Sequence, residues 1–232
     1  RPRRRDPRPR PAVSAAVLQV LPALDAGGVE RGTLEIAEAL VAGGFRALVA
    51  SSGGALVPAL ERLGARHVTL PLASKNPVVV WRNAAALAAL IRREEVRIVH
   101  ARSRAPAWSA LLAARRTGAR LVTTYHGTYN EGLPGKRLYN SVMARGERVI
   151  AISDFIAAHI RSRHGTDPAR IRVIPRGVDP GRFDPAAVDP ARVAALRAAW
   201  GVPEGRPVVM LPGRLTRWKG GRVLVEAMAR LP

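Results

Sequence analysis

The chain has 232 residues, of which 47% are hydrophobic and 24% are charged, and it contains no cysteine. These values suit one large or two modest globular domains, and they exclude global disorder, a disulfide framework and cysteine as nucleophile or metal ligand. The formal net charge is +21, and all but three of the 38 basic residues are arginine. A GC-rich coding sequence and an anionic partner both explain this bias, and both interpretations stay open.

The composition also bears on nucleic acids and membranes. Aromatic residues make up only 4% of the chain, and no basic patch is interleaved with them, so we predict no nucleic-acid partner. No apolar stretch approaches the roughly 20 residues that span a bilayer. The basic Pro/Arg tail at residues 1–13 and the apolar residues after it imitate a signal peptide. The apolar run, however, continues into "DAGGVERG" without a small-residue cleavage site, which favours a cytoplasmic protein.

Short β-branched segments alternate with longer helical segments along the chain. The first helical stretch, "ERGTLEIAEALVAG", predicts one apolar face formed by Leu34, Ile36, Ala37, Leu40 and Val41. Strands this apolar, separated by helices, predict an α/β fold with a parallel sheet covered on both faces. The predicted strands are residues 16–21, 46–51, 67–72, 97–101, 120–125, 148–153 and 171–175.

A proline-rich stretch at residues 176–193 interrupts this alternation and predicts a domain boundary. Within it, "DPARVAALRAAW" predicts a helix capped by Asp189, and "PVVML" at 207–211 predicts a new strand. We therefore assign a first domain to 14–176, a linker with a helix to 177–205, and the start of a second domain to 206–232.

Two glycines follow the first predicted strand and precede the first predicted helix. At Gly27 and Gly28 a ligand can approach the backbone, and the free N–H groups of a helix start favour negative charge. An ordinary strand-to-helix turn is the alternative. The turn reads "GGVERG" rather than G-x-G-x-x-G, and the second strand runs into "SSGG" without an acidic residue, which argues against a nicotinamide cofactor. A P-loop motif is also absent.

Six strings in this order resemble the retaining nucleotide-sugar glycosyltransferases of the GT-B fold, of the family 4 type: "DAGGVERG", "IVHARS", "TTYHGTY", "VIAISDF", "VIPRGVD" and "LPGRLTRWKG". Each string is weak alone, and the six in this order over residues 16–232 are a strong signal. The strings "ASKNP", "VHARSRAPAWSAL" and "LYNSVMARG" further resemble bacterial lipopolysaccharide-core mannosyltransferases.

The resemblance implies two facing Rossmann-like domains, with the acceptor mainly on the first and the nucleotide-sugar mainly on the second. It implies a donor such as GDP-mannose, a lipid-linked glycan acceptor and work at an anionic membrane surface on the inner face of the cytoplasmic membrane. It also implies that the acidic donor-binding motif lies beyond Pro232, so we expect a chain truncated early in the second domain and inactive alone.

The resemblance assigns roles to five residues. Arg214 and Lys219 contact the donor diphosphate, as do the backbones of Gly27 and Gly28, and these two cations replace a divalent metal. No DxD motif lies in a suitable loop, so we predict no metal and no other cofactor. His126 hydrogen-bonds the transferred sugar at the reacting centre and is not a covalent nucleophile.

Five further positions are candidates with open alternatives. Ser103 and Arg104 are candidate acceptor contacts, and Ser153 is either a helix N-cap or a donor contact. Gly177 fits a close approach of the ligand, whereas Arg176 departs from the Asn common in the family. Two other functions stay open, a GT-B nucleotide-sugar epimerase and a non-catalytic domain that binds anionic glycans or membranes.

Overall fold

The computed structural model describes residues 15–181, 183–213 and 215–230. The predicted Pro/Arg tail and the predicted phosphate ligand Arg214 lie outside these ranges. The chain divides into two compact units, one that ends at Arg176 and one that begins at Gly177.

The first unit alternates strands and helices as the sequence predicts. Its strands are β1 (Ala16–Val20), β2 (Arg46–Ser51), β3 (Arg66–Thr69), β4 (Val96–Ala101), β5 (Arg120–Tyr125), β6 (Arg148–Ala151) and β7 (Ile171–Val173). Its helices are α1 (Gly28–Ala42), α2 (Val57–Arg62), α3 (Pro77–Arg93), α4 (Arg104–Thr117), α5 (Lys136–Asn140) and α6 (Asp154–His164). Short 3-10 turns occupy Ser141–Ala144 and Pro168–Arg170.

Within the described residues the seven strands form one sheet in the order β3-β2-β1-β4-β5-β6-β7, and every neighbouring pair is parallel. The order reverses at β1, which has β2 on one side and β4 on the other. In open sheets of this kind ligands bind at the carboxyl ends of the strands where the order reverses. A ligand site is therefore expected at the loops that follow β1 and β4.

The core explains why these strands read as continuous apolar runs. Side chains of β2 alternate between two buried clusters, because successive strand residues point to opposite faces. Leu48 and Ala50 belong to the cluster that includes α3, α4 and α6, and Ala47 and Val49 belong to the cluster that includes α1 and α2. Both faces of the sheet are thus covered by helices.

Two expectations about apolar residues prove wrong. Ile36 is 40% exposed, so it lies off the face of α1 that buries Ala37 and partly buries Leu34, Leu40 and Val41. Residues 207–211 form no strand, and Val209 and Met210 are more than half exposed. A strand needs hydrogen bonds from a neighbouring strand, and the described residues of the second unit provide none.

The described residues of the second unit form two helices, α7 (Pro190–Ala199) and α8 (Gly221–Met228), and 3-10 turns at Pro185–Ala187 and Arg217–Lys219. The carboxylate of Asp189 accepts a 2.8 Å hydrogen bond from the N–H of Ala191 at the start of α7, which confirms the predicted cap. Pro190 occupies the first position of this helix, where a missing N–H costs nothing.

Candidate functional site

The carboxyl edge of the sheet collects most of the predicted site residues of the first unit. His126 directly follows β5, Ser103 follows β4 by two residues, and Ser153 follows β6 by two residues. The glycine turn lies between β1 and α1 at the same edge. These residues lie at one edge because all seven strands are parallel, so the loops that follow the strands all start from the same edge of the sheet.

The glycine turn sets up the start of α1. Gly27 is the N-cap residue and has a φ of 155°, a backbone conformation that residues other than glycine rarely adopt. No side chain forms a capping hydrogen bond at this end of the helix. A Cβ at Gly27 would collide with the carboxylate of Glu30. Gly28 has open space around it. Only Gly27 is thus required by the backbone, and the exposed turn leaves the first N–H groups of α1 without side-chain partners.

His126 is half-buried, and its Nε2 is a buried atom without a hydrogen-bond partner. Burial, and then the positive charges of Arg102 and Arg176, lower the pKa of His126 to about 4. The imidazole is therefore neutral at pH 7, and its Nε2 either donates a hydrogen bond to a ligand or accepts one from it, depending on the tautomer. This state suits a contact to a sugar hydroxyl.

Arg102, which the sequence did not single out, joins β4 to β1 and α1. Only 4% of this residue is exposed. Its Nη1 donates a 3.0 Å hydrogen bond to Oε1 of Gln19, whose Nε2 donates in turn to the carbonyl of Thr33, also at 3.0 Å. The Nε of Arg102 is buried and has no partner. Burial, then repulsion from Arg176, lower the pKa of Arg102 to about 10, so it stays charged at neutral pH.

Arg176 reaches α1 from the segment that follows β7. Its Nη2 donates a 2.6 Å hydrogen bond to the carbonyl of Gly28 and lies 3.8 Å from Oε2 of Glu35. A Cβ on Gly32 would lie 2.7 to 2.8 Å from the guanidinium atoms of Arg176. The arginine that departs from the family pattern thus occupies the space that a glycine on α1 leaves.

Arg104 is held by α5 and by the loop that precedes it. Its Nη1 donates a 2.8 Å hydrogen bond to Oδ1 of Asn140, and its guanidinium lies 4.3 Å from the ring centre of Tyr129 and 5.8 Å from that of Tyr139. Tyr129 in turn packs against the buried Tyr125, with ring centres 4.6 Å apart. These contacts give Arg104 a structural role in shaping the loop that begins at His126, and its predicted contact to an acceptor stays a prediction.

The two serines differ in their roles as helix caps. Ser153 caps α6, and its hydroxyl accepts a 3.3 Å hydrogen bond from the N–H of Ile156. Ser103 occupies the equivalent position before α4 but makes no side-chain cap bond, so its hydroxyl is available for other contacts. The N-cap alternative for Ser153 is therefore what the structure shows.

The remaining predicted contacts belong to the second unit. Lys219 is exposed at the end of a 3-10 turn and, with Gly213, Thr216 and Gly221, lines a pocket before α8. Gly177 is exposed and has open space where a Cβ would be, so nothing in the described structure requires glycine there. Arg214 lies outside the described residues.

The parallel sheet covered by helices on both faces makes the first unit Rossmann-like, and its match to a solved glycosyltransferase structure identifies the GT-B class. The family model of Glycosyltransferase Family 4 matches residues 26–182, and the chain belongs to this family.

Known proteins similar to this chain are longer than it. A D-inositol 3-phosphate glycosyltransferase of Xylanimonas cellulosilytica is 32% identical over 141 residues, which are 52% of this chain and 32% of that protein. A glycosyltransferase structure from Rickettsia africae is 42% identical with a TM-score of 0.80, covering 94% of this chain and 57% of the other. The structure of Anabaena HepE with UDP-glucose is 22% identical with a TM-score of 0.76, covering 94% and 58%. At that identity the likeness concerns the fold.

Proposed function

We infer that the protein is a retaining hexosyltransferase, which moves a sugar from a nucleotide-sugar donor to a lipopolysaccharide-core or related cell-envelope glycan. Mannose from GDP-mannose is the first candidate, on the strength of the motifs in the sequence. The observation that carries the proposal is His126, a neutral imidazole with an unpartnered Nε2 at the carboxyl edge of a family 4 sheet.

In this proposal each residue acts on one part of the donor. His126 hydrogen-bonds the transferred sugar, and the N–H groups at the start of α1 face the departing phosphate. Lys219 and Arg214 stabilise the charge that grows on the diphosphate as the anomeric bond breaks. These cations do the work that a divalent metal does elsewhere, and independence from a metal stays a prediction.

Retention follows if the acceptor attacks from the face that the phosphate leaves. The bond between the anomeric carbon and the phosphate oxygen breaks, and a bond from the acceptor oxygen to the same carbon forms. The proton of the acceptor hydroxyl passes to the departing phosphate oxygen. No protein nucleophile takes part, which agrees with a His126 that acts only through hydrogen bonds.

The acceptor places the enzyme at a membrane surface in this proposal. Among the described residues no helix is long and apolar enough to cross a bilayer. Attraction of the basic chain to anionic headgroups on the inner face of the cytoplasmic membrane would bring it to a lipid-linked glycan.

The test is a donor screen with the full-length protein and lipid-linked acceptors, in which released nucleoside diphosphate is measured. We expect release that depends on both donor and acceptor, and a product with retained anomeric configuration. Conversion of the donor sugar without any acceptor would instead favour an epimerase. Absence of turnover with every nucleotide-sugar would favour a non-catalytic binding domain.

A further inference from the structure

The excess positive charge of the first unit is concentrated at the amino edge of the sheet, opposite the edge that carries His126. The helix ends and strand starts at this edge contain fifteen arginines and five carboxylates. The corresponding segments at the carboxyl edge contain seven basic residues and four carboxylates. The amino-edge segments are residues 42–46, 61–66, 92–97, 115–120, 145–148 and 161–172, and the carboxyl-edge segments are residues 21–31, 52–60, 70–80, 102–107, 126–139, 152–157 and 174–176. An anion that approaches the first unit is therefore drawn most strongly to the edge that the proposed transfer reaction does not use.

A cavity of about 460 Å³ lies at this edge, between the end of α4, the 3-10 turn at Ser141–Ala144 and the segment that leads from α6 to β7. Three arginines line it, Arg115, Arg145 and Arg170, and no carboxylate of the described residues does so. The volume lies in the range of small-ligand sites. A cavity with several cations and no acid to balance them favours a negatively charged ligand.

The three arginines keep donors that the protein itself does not use. One nitrogen of Arg170, Nη2, donates to the carbonyl of Gly146, and the guanidinium of Arg145 lies 5.2 Å from the ring centre of Trp108. Within the described part of the chain none of the three forms an ion pair, and Arg115 makes no side-chain hydrogen bond. Two of the guanidinium groups are thus held by the protein, and most of their N–H groups stay available for a ligand.

Thr166 points to a ligand independently of the arginines. This residue is only 6% exposed and lines the cavity, and its hydroxyl makes no hydrogen bond within the described residues. Buried polar groups in native proteins are nearly always paired, so the exception calls for an explanation. An oxygen of an anion in the cavity would accept a hydrogen bond from this hydroxyl.

The other titratable groups near the cavity do not oppose an anion. The carboxylate of Asp167 accepts a 2.8 Å hydrogen bond from the N–H of Ala169, and neither Asp167 nor the exposed Glu147 lines the cavity. His164 does line it, and burial lowers the pKa of His164, so the imidazole is neutral at pH 7. The charge of the cavity at neutral pH is therefore that of its arginines.

We propose that this cavity is a binding site for a phosphate group, held by the guanidinium groups of Arg115, Arg145 and Arg170 and by the hydroxyl of Thr166. Guanidinium groups suit phosphate because they are planar, stay charged at neutral pH and present several N–H donors in a fixed geometry. The phosphate belongs either to a lipid headgroup or to a small phosphorylated molecule in solution. The site goes beyond the proposed transfer function, because it lies at the opposite edge of the sheet from His126 and needs neither donor nor acceptor.

A purely structural role for these arginines predicts a different result. Arg115 lies in the last turn of α4, where a cation stabilises the negative end of the helix dipole. If that were its whole role, Arg115→Gln would lower the free energy of unfolding and leave anion binding unchanged. Urea unfolding and phosphate titration of the same variants separate the two roles.

The test is calorimetric titration of inorganic phosphate into the full-length protein at constant ionic strength. Arg115→Gln and Arg145→Gln should each weaken phosphate binding by about tenfold or more, the scale of a lost hydrogen bond between charged groups. Thr166→Val removes a hydroxyl but keeps the charge and the shape of the cavity, and it should weaken binding by about fivefold.

The matched control is Arg116→Gln. Arg116 is the exposed neighbour of Arg115 on α4, its guanidinium lies 5.4 Å from the ring centre of Trp81, and it does not line the cavity. This variant loses the same charge from the same turn of the helix, and it should bind phosphate as tightly as the wild type.

Three outcomes would overturn the proposal. The first is a wild-type protein that binds no phosphate, and the second is an Arg116→Gln variant that loses as much affinity as Arg115→Gln. The third is loss of phosphate binding in Lys219→Ala but not in the cavity variants, because phosphate then binds at the proposed donor site. If Arg145→Gln does not fold, as judged by circular dichroism, Arg115→Gln and Thr166→Val decide.

Two further measurements identify the source of the phosphate. Phosphatidylcholine vesicles that contain phosphatidic acid present the group on a lipid surface, and glucose 6-phosphate presents it in solution. If the wild type sediments with these vesicles more strongly than Arg115→Gln and Thr166→Val do, the site holds a lipid headgroup. If glucose 6-phosphate binding depends on the same two residues and vesicle sedimentation does not, the site holds a soluble ligand. Binding of both probes that is independent of these residues would overturn the proposal.

Discussion

Arg176 donates a 2.6 Å hydrogen bond to the carbonyl of Gly28, 148 residues earlier in the chain. The contact brings the end of the first unit onto the helix that starts at the glycine turn. The guanidinium fits there only because position 32 on the same helix has no side chain. One glycine of the motif "GGVERG" is thus explained by an arginine at the far end of the unit.

This relationship predicts a coupling between positions 32 and 176. Gly32→Ala should displace the Arg176 side chain, since a Cβ would lie 2.7 Å from its Nη2. In an Arg176→Asn background the same change should stabilise the protein, because alanine favours a helix interior over glycine by about 1 kcal/mol. Urea unfolding of the wild type, both single variants and the double variant measures the coupling. Additive effects would show that the two residues do not compete for this space.

The sequence predicts this fold well because burial on both faces leaves a plain signal. Each of the seven strands appears as a short apolar run, and the observed β4 and β5 differ from the prediction by no more than one residue. The ends of β3, β6 and β7 were predicted two to three residues too long, because the chain leaves the sheet at the carboxyl edge while its residues are still apolar. The string at 207–211 shows the converse, since an apolar run without a neighbouring strand stays irregular.

The site was predicted only in part, for a different reason. His126 could be placed because a residue that follows a parallel strand must lie at the carboxyl edge. Arg102 also follows a strand directly, and that position was the signal available for it. In a chain with 38 basic residues, however, nothing local distinguishes a buried arginine from a solvated one. The bonds from Arg102 to Gln19 and from Arg176 to Gly28 are long-range contacts, which no local pattern encodes.

Ser153 offers a test of its structural role. Ser153→Ala removes the hydroxyl that accepts from the N–H of Ile156, so we expect it to lower the free energy of unfolding by about 1 kcal/mol. Ser153→Asp should restore most of that loss, because aspartate also caps a helix start. Ser103→Ala is the matched control, since that hydroxyl makes no cap bond, and it should change stability less. Equal stability of Ser153→Ala and the wild type, measured by urea unfolding, would contradict the cap.

Two histidines should make the protein sensitive to acid. Burial, then the charges of Arg102 and His126, lower the pKa of His100 to about 3, and the pKa of His126 is lowered to about 4. The unfolded chain binds these protons near pH 6.5 and the folded chain does not, so stability is fully present above that pH and is lost as the pH falls. The lowered pKa values of His67 and His164 act in the same direction.

The expected size allows a measurement. A histidine that stays neutral in the folded protein and binds a proton in the unfolded chain lowers the free energy of unfolding by about 2 kcal/mol between about pH 7 and pH 5. His100→Asn should therefore show a smaller loss over this interval than the wild type, whatever its stability at pH 7. Urea unfolding at both pH values gives the two differences, and the same loss in variant and wild type would rule out His100 as a contributor.

Membrane association should depend on anionic lipid and on salt. Each well-placed Lys or Arg near an anionic surface contributes roughly 1 kcal/mol, and the chain carries a formal net charge of +21. We expect sedimentation with anionic vesicles at low salt, weaker sedimentation at high salt, and little with neutral vesicles. If the protein does not sediment with anionic vesicles at low salt, or if salt does not change its sedimentation, the high arginine content reflects coding composition and not membrane binding.

The last prediction separates His126 from the cations that are proposed to hold the diphosphate. In the full-length protein Lys219→Ala or Arg214→Ala should lower kcat by about 10² or more, the scale of one lost contact to a transition-state charge. Either change should also weaken binding of the nucleoside diphosphate product, because the proposal assigns a direct contact with that product to each cation. His126→Ala should lower kcat as well, yet the product should bind nearly as well as to the wild type, because the proposal assigns His126 to the sugar and not to the nucleotide. Lys75→Ala removes an exposed lysine from the first unit and serves as the matched control for charge. Titration of nucleoside diphosphate into the four variants decides: if His126→Ala weakens product binding as much as Lys219→Ala does, His126 holds the nucleotide or the fold, and its assignment to the sugar is wrong.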